Sequence, residues 1–318
     1  MAAGVRPDSE SGAGAAVATA EPLGTTAEIE ARRAKRAERR EQQRLANKGR
    51  ALKMREARLA AEAKGLTNLT PRIRASAKSL HIGCSGWFYW HWKGAFYPAE
   101  VPTSEWFALY QRKFRTVELN APFYSWPSVA TVKTWLRQAV RKDFVYTVKV
   151  CELITHVKRF KGVKTLVKDF CFIADILGPR IGCFLFQFPP SFHYTPARLE
   201  LILSQLDRRH RNVIEFRHKS WWREETYAAF RDADAIFCSC SGPRLPDELV
   251  KTASDIYVRF HGTKRWYRHD YSVEELAVWA QRIKDSGAKQ SWIYFNNDRN
   301  GYSIKNATML ARLLKSSI

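Results

Sequence analysis

The stretch RNVIEFRH, residues 211–218, sets the apolar Val213, Ile214 and Phe216 among Glu215, Arg217 and His218. A strand covered on both faces reads as unbroken hydrophobic sequence, so charges at its end need a reason. Side chains alternate across a strand. Ile214 and Phe216 then share one face, and Glu215 and Arg217 share the other. His218 falls on the apolar parity and points away from the acid.

The same design recurs along the chain. Short apolar runs with polar ends occur at LHIGCSGW (80–87), FRTVELN (114–120), FVYTVKV (144–150) and IGCFLFQF (181–188). AIFCSC (235–240), DIYVRFHG (255–262) and SWIYFNN (291–297) complete the set. Helical segments separate most of them. Thr195-Pro196 reads as an N-cap followed by proline at the first helical position. Ser272 and Glu275 make a capping box, and Gly287 ends that helix. PDELVKT, between the sixth and seventh runs, is too short for more than one or two turns. Eight strands alternating with helices over residues 79–318 match an α/β fold, the (β/α)8 barrel, in count and size. A doubly wound open sheet is second, since no Gly-rich phosphate turn follows the first strand.

In a barrel the apolar parity meets the helices and the polar parity points inward. That places Ser85 and Trp87, Glu118 and Asn120, Lys149, Gln187, Glu215 and Arg217 on the inner face. Arg259 and His261 of the seventh run and Asn296 of the eighth join them. These residues gather at the C-terminal strand ends, where barrel active sites are built. Buried charges must be paired or neutral. Grouping them around one mouth lets them neutralise each other and still meet water.

The 318-residue chain carries a formal net charge of +22, which favours anionic partners. No window of 18 apolar residues exists, so no membrane span is expected. The six cysteines lack CxxC or CxxH spacing and read as buried reduced thiols of an intracellular, cytoplasmic protein. Composition changes near residue 79, giving two parts, 1–78 and 79–318. Residues 1–26 read as disordered. Between Arg32 and Lys64 there are 13 Lys/Arg against 4 Glu. Leu45, Leu52, Met54 and Leu59 offer only a thin apolar stripe, so this basic extension reads as a solvated, partly helical tail with no core to join. A second reading is an arm that orders on RNA or DNA through residues 27–65. Its acidic residues argue against an organellar presequence.

GCSGWFYWHWKGAFYP (83–98), TVELNAPFYSWPS (116–128), VKVCELITH (148–156), LFQFPPSF (185–192), EFRHKSW (215–221), YVRFHG (257–262) and YFNND (294–298) together resemble the YecE-like family, classed as a domain of unknown function. The resemblance spans roughly residues 79–316. It implies a TIM barrel and brings no established reaction. The sixth run ends CSCSGP where relatives often carry an acid, and the basic extension lies outside the family domain.

Two functional readings follow. In the first, the mouth is a metal-independent, cofactor-free active site for a small anionic or phosphorylated substrate. Arg217, Arg259 and Lys149 clamp the anion. Glu215, Glu118, Lys149, His156 and His261 supply acid–base chemistry. Asn120, Gln187, Asn296, Tyr89, Ser85 and Trp87 orient the substrate. In the second, the protein binds RNA or the ribosome through its basic arm. A charge network that merely closes the barrel is the plain structural alternative.

Overall fold

The computed structural model describes residues 26–67 and 79–315. The disorder expected at the N-terminus falls, for residues 1–25, outside the described residues. Eight parallel strands form the sheet: β1 (Ser79–Cys84), β2 (Thr116–Leu119), β3 (Val145–Lys149), β4 (Ile181–Gln187), β5 (Asn212–Glu215), β6 (Ile236–Ser241), β7 (Ile256–Phe260) and β8 (Gln290–Phe295). Hydrogen-bonded neighbours follow the order β1-β8-β7-β6-β5-β4-β3-β2, the expected (β/α)8 barrel. The helices are α1 (Thr26–Ala63), α2 (Trp106–Lys113), α3 (Ala121–Tyr124), α4 (Val129–Gln138), α5 (Lys164–Cys171), α6 (Ile173–Leu177), α7 (Pro196–Gln205), α8 (Glu224–Asp232), α9 (Val273–Asp285) and α10 (Tyr302–Lys315).

Alternation sorts the apolar residues into two layers. Cys183, Leu185, Val213, Cys238, Tyr257 and Tyr294 cluster in the barrel interior. Ile214, Phe216, Val258, Phe260 and Ile293 belong to the larger core shared with the helices. Local signals act as read: Thr195 accepts from Arg198 N at the start of α7, and the Ser272–Glu275 capping box opens α9. Gly287, just past α9, takes a positive φ of 58°. Between β6 and β7 the chain forms no helix. The hydroxyls of Ser239 and Thr252 accept from Val250 N and Phe237 N instead, at 2.8 and 2.9 Å.

The ends of the sheet, β1 and β2, meet through side chains. Tyr110 Oη of α2 accepts from Cys84 N (2.9 Å) and donates to Thr116 O (3.0 Å). The two backbones come so close that a Cβ on Gly83 would lie 2.3 Å from Thr116 O. Glycine is needed there.

The described residues divide into two units between Gln42 and Gln43. The second contains the barrel and the C-terminal half of α1, which overturns the expectation of a helix with no core to join. Asn47, Ala51, Met54 and Arg58, one helical face, are buried. Asn47 donates to Tyr124 O and accepts from Trp126 N, both at 2.9 Å, while Arg58 pairs with Asp169 at 2.9 Å. Two of the four docking residues are polar, so an apolar stripe could not reveal them. Leu45, Leu52 and Leu59 are exposed instead. Among the described residues no helix is long and apolar enough to cross a membrane.

Met54→Ala is expected to destabilise the barrel unit by about 2–4 kcal/mol. Leu52→Ala, on the exposed side, should stay within about 0.5 kcal/mol of wild type. Urea unfolding measures both, and equal effects would contradict the docking.

Candidate active site at the barrel mouth

The inward-facing ends of β1, β2, β5 and β7 build one ion-pair lattice. Arg259 donates Nη1 to Glu215 Oε2 at 2.5 Å and Nη2 to Glu118 Oε1 at 2.6 Å. Ser85 Oγ donates to Glu118 Oε1 (2.6 Å) and Tyr257 Oη to Glu118 Oε2 (2.5 Å). Arg217 Nε donates to Glu215 Oε1, and its guanidinium stacks 4.3 Å above the Trp266 ring. His261 Nε2 lies 3.2 Å from Arg217 Nη2 and 3.4 Å from Glu215 Oε1. Asn296 Nδ2 lies 3.3 Å from His261 Nδ1.

Burial alone would raise the Glu215 carboxyl, but Arg217 and Arg259 outweigh it and hold the group well below the usual carboxylate range. Burial opposes the Arg259 charge, and Glu118 and Glu215 more than restore it. Burial and then the two guanidiniums hold His261 well below the usual imidazole range, so its ring is neutral at neutral pH. These directions bear on chemistry. A paired-carboxylate glycosidase needs one carboxyl kept protonated as its acid, and Glu215 is held ionised.

The lattice lies deeper than its sequence suggested. Glu118, Glu215, Arg259 and His261 are wholly buried, so they neutralise each other without meeting water. Arg259 has no surface to offer a substrate anion. Strand parity gives the face of a residue but not its height along the barrel axis.

Lys149, at the end of β3, is different. Its amine sits 4.0 Å from the centre of the Phe123 ring, and no hydrogen bond is formed by it among the described residues. Burial, then Arg259, bring its pKa down to about 7, against the opposing pull of Glu215 and Glu118. It lines a cleft of about 870 Å3 with Tyr89, Asn120, Asn296, Trp266 and Arg268. Asn120 Nδ2 and Tyr89 Oη both donate to Ser85 O, at 3.1 and 2.6 Å.

The remaining candidates do not line this cleft. Gln187 is buried and donates to Phe188 O at 3.0 Å. His156 sits in a turn of π-helix beyond β3, edge-on to Phe123, with Nδ1 2.9 Å from Thr155 Oγ1. Trp87 departs from the inward placement, because Gly86 (φ 119°) turns the chain and Trp87 packs against Phe107 in the helix layer. His218 stacks on His193 and caps a short 3-10 turn, away from the mouth. Tyr257 shares the parity of Arg259 and belongs to the lattice, although it lies before the strand end where the site residues were expected. The cleft walls at Trp266–Arg268 and Asp298–Asn300 also follow strands, and only the rule that barrel sites use such loops marks them in the sequence.

All six cysteines are buried free thiols. Cys238 and Cys240, 3.7 Å apart at sulfur, form with Glu215 the one His/Cys/Asp/Glu cluster of cation-binding size among the described residues. Both Glu215 oxygens already accept from guanidiniums, so this donor set suits a cation poorly. At the opposite end of the barrel, a cavity of about 140 Å3 is lined by His81, Arg211 and Trp292. His81 stacks on Trp292 and is lowered to about 4 by burial and Arg211. That end of a barrel serves stability rather than catalysis.

Two substitutions separate the lattice from the amine. Arg259→Met leaves two carboxylates facing each other in the interior and should cost about 3–5 kcal/mol. Lys149→Met should do the opposite. Unfolding restores the amine to its ordinary pKa of about 10.4, so between pH 7 and that value the unfolded chain holds more protons and stability rises with pH. The penalty is full below about pH 7. Its removal should stabilise the protein by about 2 kcal/mol or more at pH 7 and flatten the rise at higher pH. Urea unfolding across pH reads both, and a destabilised Lys149→Met would mean a charged, paired amine.

Comparison with known proteins agrees with this architecture. Residues 81–318 match the family described as "Protein of unknown function DUF72". The UPF0759 protein YunF of Bacillus subtilis (strain 168) is 24% identical over 273 residues, covering 74% of this chain and 94% of that protein. The UPF0759 protein YecE of Escherichia coli (strain K12) is 26% identical over 202 residues, covering 55% and 72%. A crystal structure of a DUF72 family protein from Thermotoga maritima MSB8 superposes with a TM-score of 0.68 at 30% identity, covering 74% of this chain and 99% of that one. A DUF72 family protein from Enterococcus faecalis V583 shares the fold at 19% identity, with a TM-score of 0.62, covering 76% and 99%. With the family match spanning nearly all of the barrel, the chain belongs to the DUF72 family.

Proposed function

We propose that the barrel mouth is a metal-independent active site for a small molecule bearing a phosphate or carboxylate, with Lys149 as its reacting group. One observation carries this reading: Lys149 lines an open cleft without a hydrogen-bonded counter-ion, above a lattice in which Arg217 and Arg259 already serve Glu215 and Glu118. An incoming anion supplies the missing charge. Arg268 and Arg299 stand in the same cleft, where Asp298 faces His91 at 3.7 Å. Tyr89, Tyr124 and Trp266 offer ring faces and edges for a sugar or base.

In this reading the roles divide by depth. Lys149, near half-protonated at pH 7, both takes and gives a proton. Glu118, Glu215, Arg259 and His261 are positioning residues that set the field around the amine. Asn120, Asn296 and Tyr89 orient the ligand, with Ser85 and Gln187 beneath them. His156 acts through Phe123, against which both it and Lys149 rest.

A second reading draws on the part of α1 before residue 43, where Arg32, Lys35, Arg39 and Arg40 are exposed. That surface suits RNA or DNA, with affinity that falls steeply as salt rises. Because residues 43–63 belong to the barrel's compact unit, the test must spare them. Neutralising Arg32, Lys35, Arg39 and Arg40 to Gln should weaken RNA binding and flatten its salt dependence; unchanged binding removes this reading.

For the mouth, inorganic phosphate and glucose 6-phosphate serve as probes in thermal unfolding and calorimetry. At about 100-fold above Kd a ligand adds about 2.7 kcal/mol of stability, a shift of a few degrees. Wild type should show it and Lys149→Ala should not. No shift at tens of millimolar, on the order of the weakest specific affinities, or an equal shift in the variant, would refute the site.

A further inference from the structure

We infer that Lys149 condenses with a carbonyl carbon, so that the mouth takes a small molecule carrying both an anionic group and an aldehyde or ketone and holds it as an imine on Nζ. This rests on the anion site proposed above and adds the reacting bond.

The geometry around Nζ separates a nucleophile from a simple charge. A lysine that only binds anions needs its proton and gains from a nearby carboxylate. Here Glu118 and Glu215 are close enough to influence Lys149, yet their oxygens are engaged by Arg259, Arg217, Ser85 and Tyr257. The Phe123 ring closes one side of the amine with a surface that cannot accept strongly from it. What remains open is the cleft. A desolvated amine among other cations is the arrangement that makes lysine nucleophilic at neutral pH. Asn120 adds an independent mark. Its Nδ2 is bonded to Ser85 O, its Oδ1 is buried with no partner among the described residues, and the residue lines the same cleft. Rotation of that amide toward the cleft would offer the hydroxyl of the tetrahedral adduct an acceptor.

The step balances without oxidant or reductant. The neutral amine's lone pair forms the C–N bond as the carbonyl π pair moves to oxygen. That oxygen gains a proton and the nitrogen loses one, giving a carbinolamine. Its hydroxyl then leaves as water, the nitrogen lone pair forms C=N, and the nitrogen gives up its remaining N–H proton to balance the one the water takes. Amine plus carbonyl thus gives imine plus one water. The anionic group stays by Arg268 and Arg299 at the rim.

The test uses the full-length protein with glyoxylate, glyceraldehyde 3-phosphate and neutral propanal, each followed by cyanoborohydride reduction and peptide mass mapping. Either anionic aldehyde should leave a secondary amine at Lys149, and the more effective one identifies the anion as carboxylate or phosphate. Inorganic phosphate should compete. At pH 7 Lys149 should react on the order of a hundredfold faster than a free lysine side chain, whose reference pKa is about 10.4. Its rate should rise with pH and level off above about 7, as the amine titrates in the field of Glu118, Glu215, Arg217 and Arg259. Lys149→Arg keeps the cation, and Lys149→Met keeps a packed stem; both should lose the adduct and remain folded. Equal labelling of Lys149 by propanal would overturn the anionic requirement, and adducts spread over surface lysines would overturn the imine as a property of this site. If phosphate still stabilises wild type and not Lys149→Ala, the anion site survives that result. If phosphate has no effect and Lys149 stays unmodified, both fall.

Discussion

The Arg259 guanidinium, set between Glu118 and Glu215 in the closed interior, is the constraint on which the mouth depends. A lone buried ion is costly, and breaking a buried pair strands its partner. Here each charge is matched and hydrogen-bonded. Because β2, β5 and β7 supply the members, the lattice ties together strands that share no ladder. A one-residue slip in any of them would send its charge to the helix layer. Ser85 brings in β1 and completes the Glu118 carboxylate at the seam where the ladder stops. The charges therefore specify register as well as occupying the mouth.

The same saturation explains Lys149. Carboxylate oxygens that might have paired with its amine are already accepting shorter, charge-assisted bonds from arginines, whose planar forks hold two acceptors at once. A lysine ammonium competes poorly for them. It is left between a ring face and a cleft, and burial, then Arg259, bring its pKa down to about 7. A packed apolar side chain would be more stable at that position.

Much of this was legible in the sequence, and the failures share a cause. Period-two alternation located Glu118, Lys149, Glu215, Arg217 and Arg259 on the inner face, and the capping residues marked α7 and α9. Alternation says nothing of height, so the lattice's depth was invisible until register placed Glu215 beside Gln187 and Arg259 beside Cys240. It also fails where the strand ends. Gly86 breaks the parity and returns Trp87 to the core. Tyr110, which closes the β1–β2 seam, belongs to a helix and carries no strand signal. The Ser239 and Thr252 hydroxyls, which stabilise the helix-free crossing from β6 to β7, act over 11 and 15 residues, beyond any local pattern.

The docked half of α1 shows how these omissions reach the site. Residues 43–63 precede the family match at residue 81, yet they share the barrel's compact unit. Asn47 satisfies Tyr124 O and Trp126 N in the segment after β2, and Arg50 donates to Ser125 Oγ at 2.8 Å. Arg44 lies 3.4 Å from Glu152, just beyond β3. These are the segments that carry Asn120, Phe123 and Tyr124 on one side of Lys149 and follow it on the other. Barrel loops are the least constrained part of the fold, and a cleft that must hold an amine against one ring face needs them fixed. Positive charge on α1 therefore has two separable uses: Arg44, Arg50 and Arg58 brace the barrel, while Lys48 and Lys53 face outward. Composition counts all five alike; only the partners of each distinguish a brace from a surface for anions.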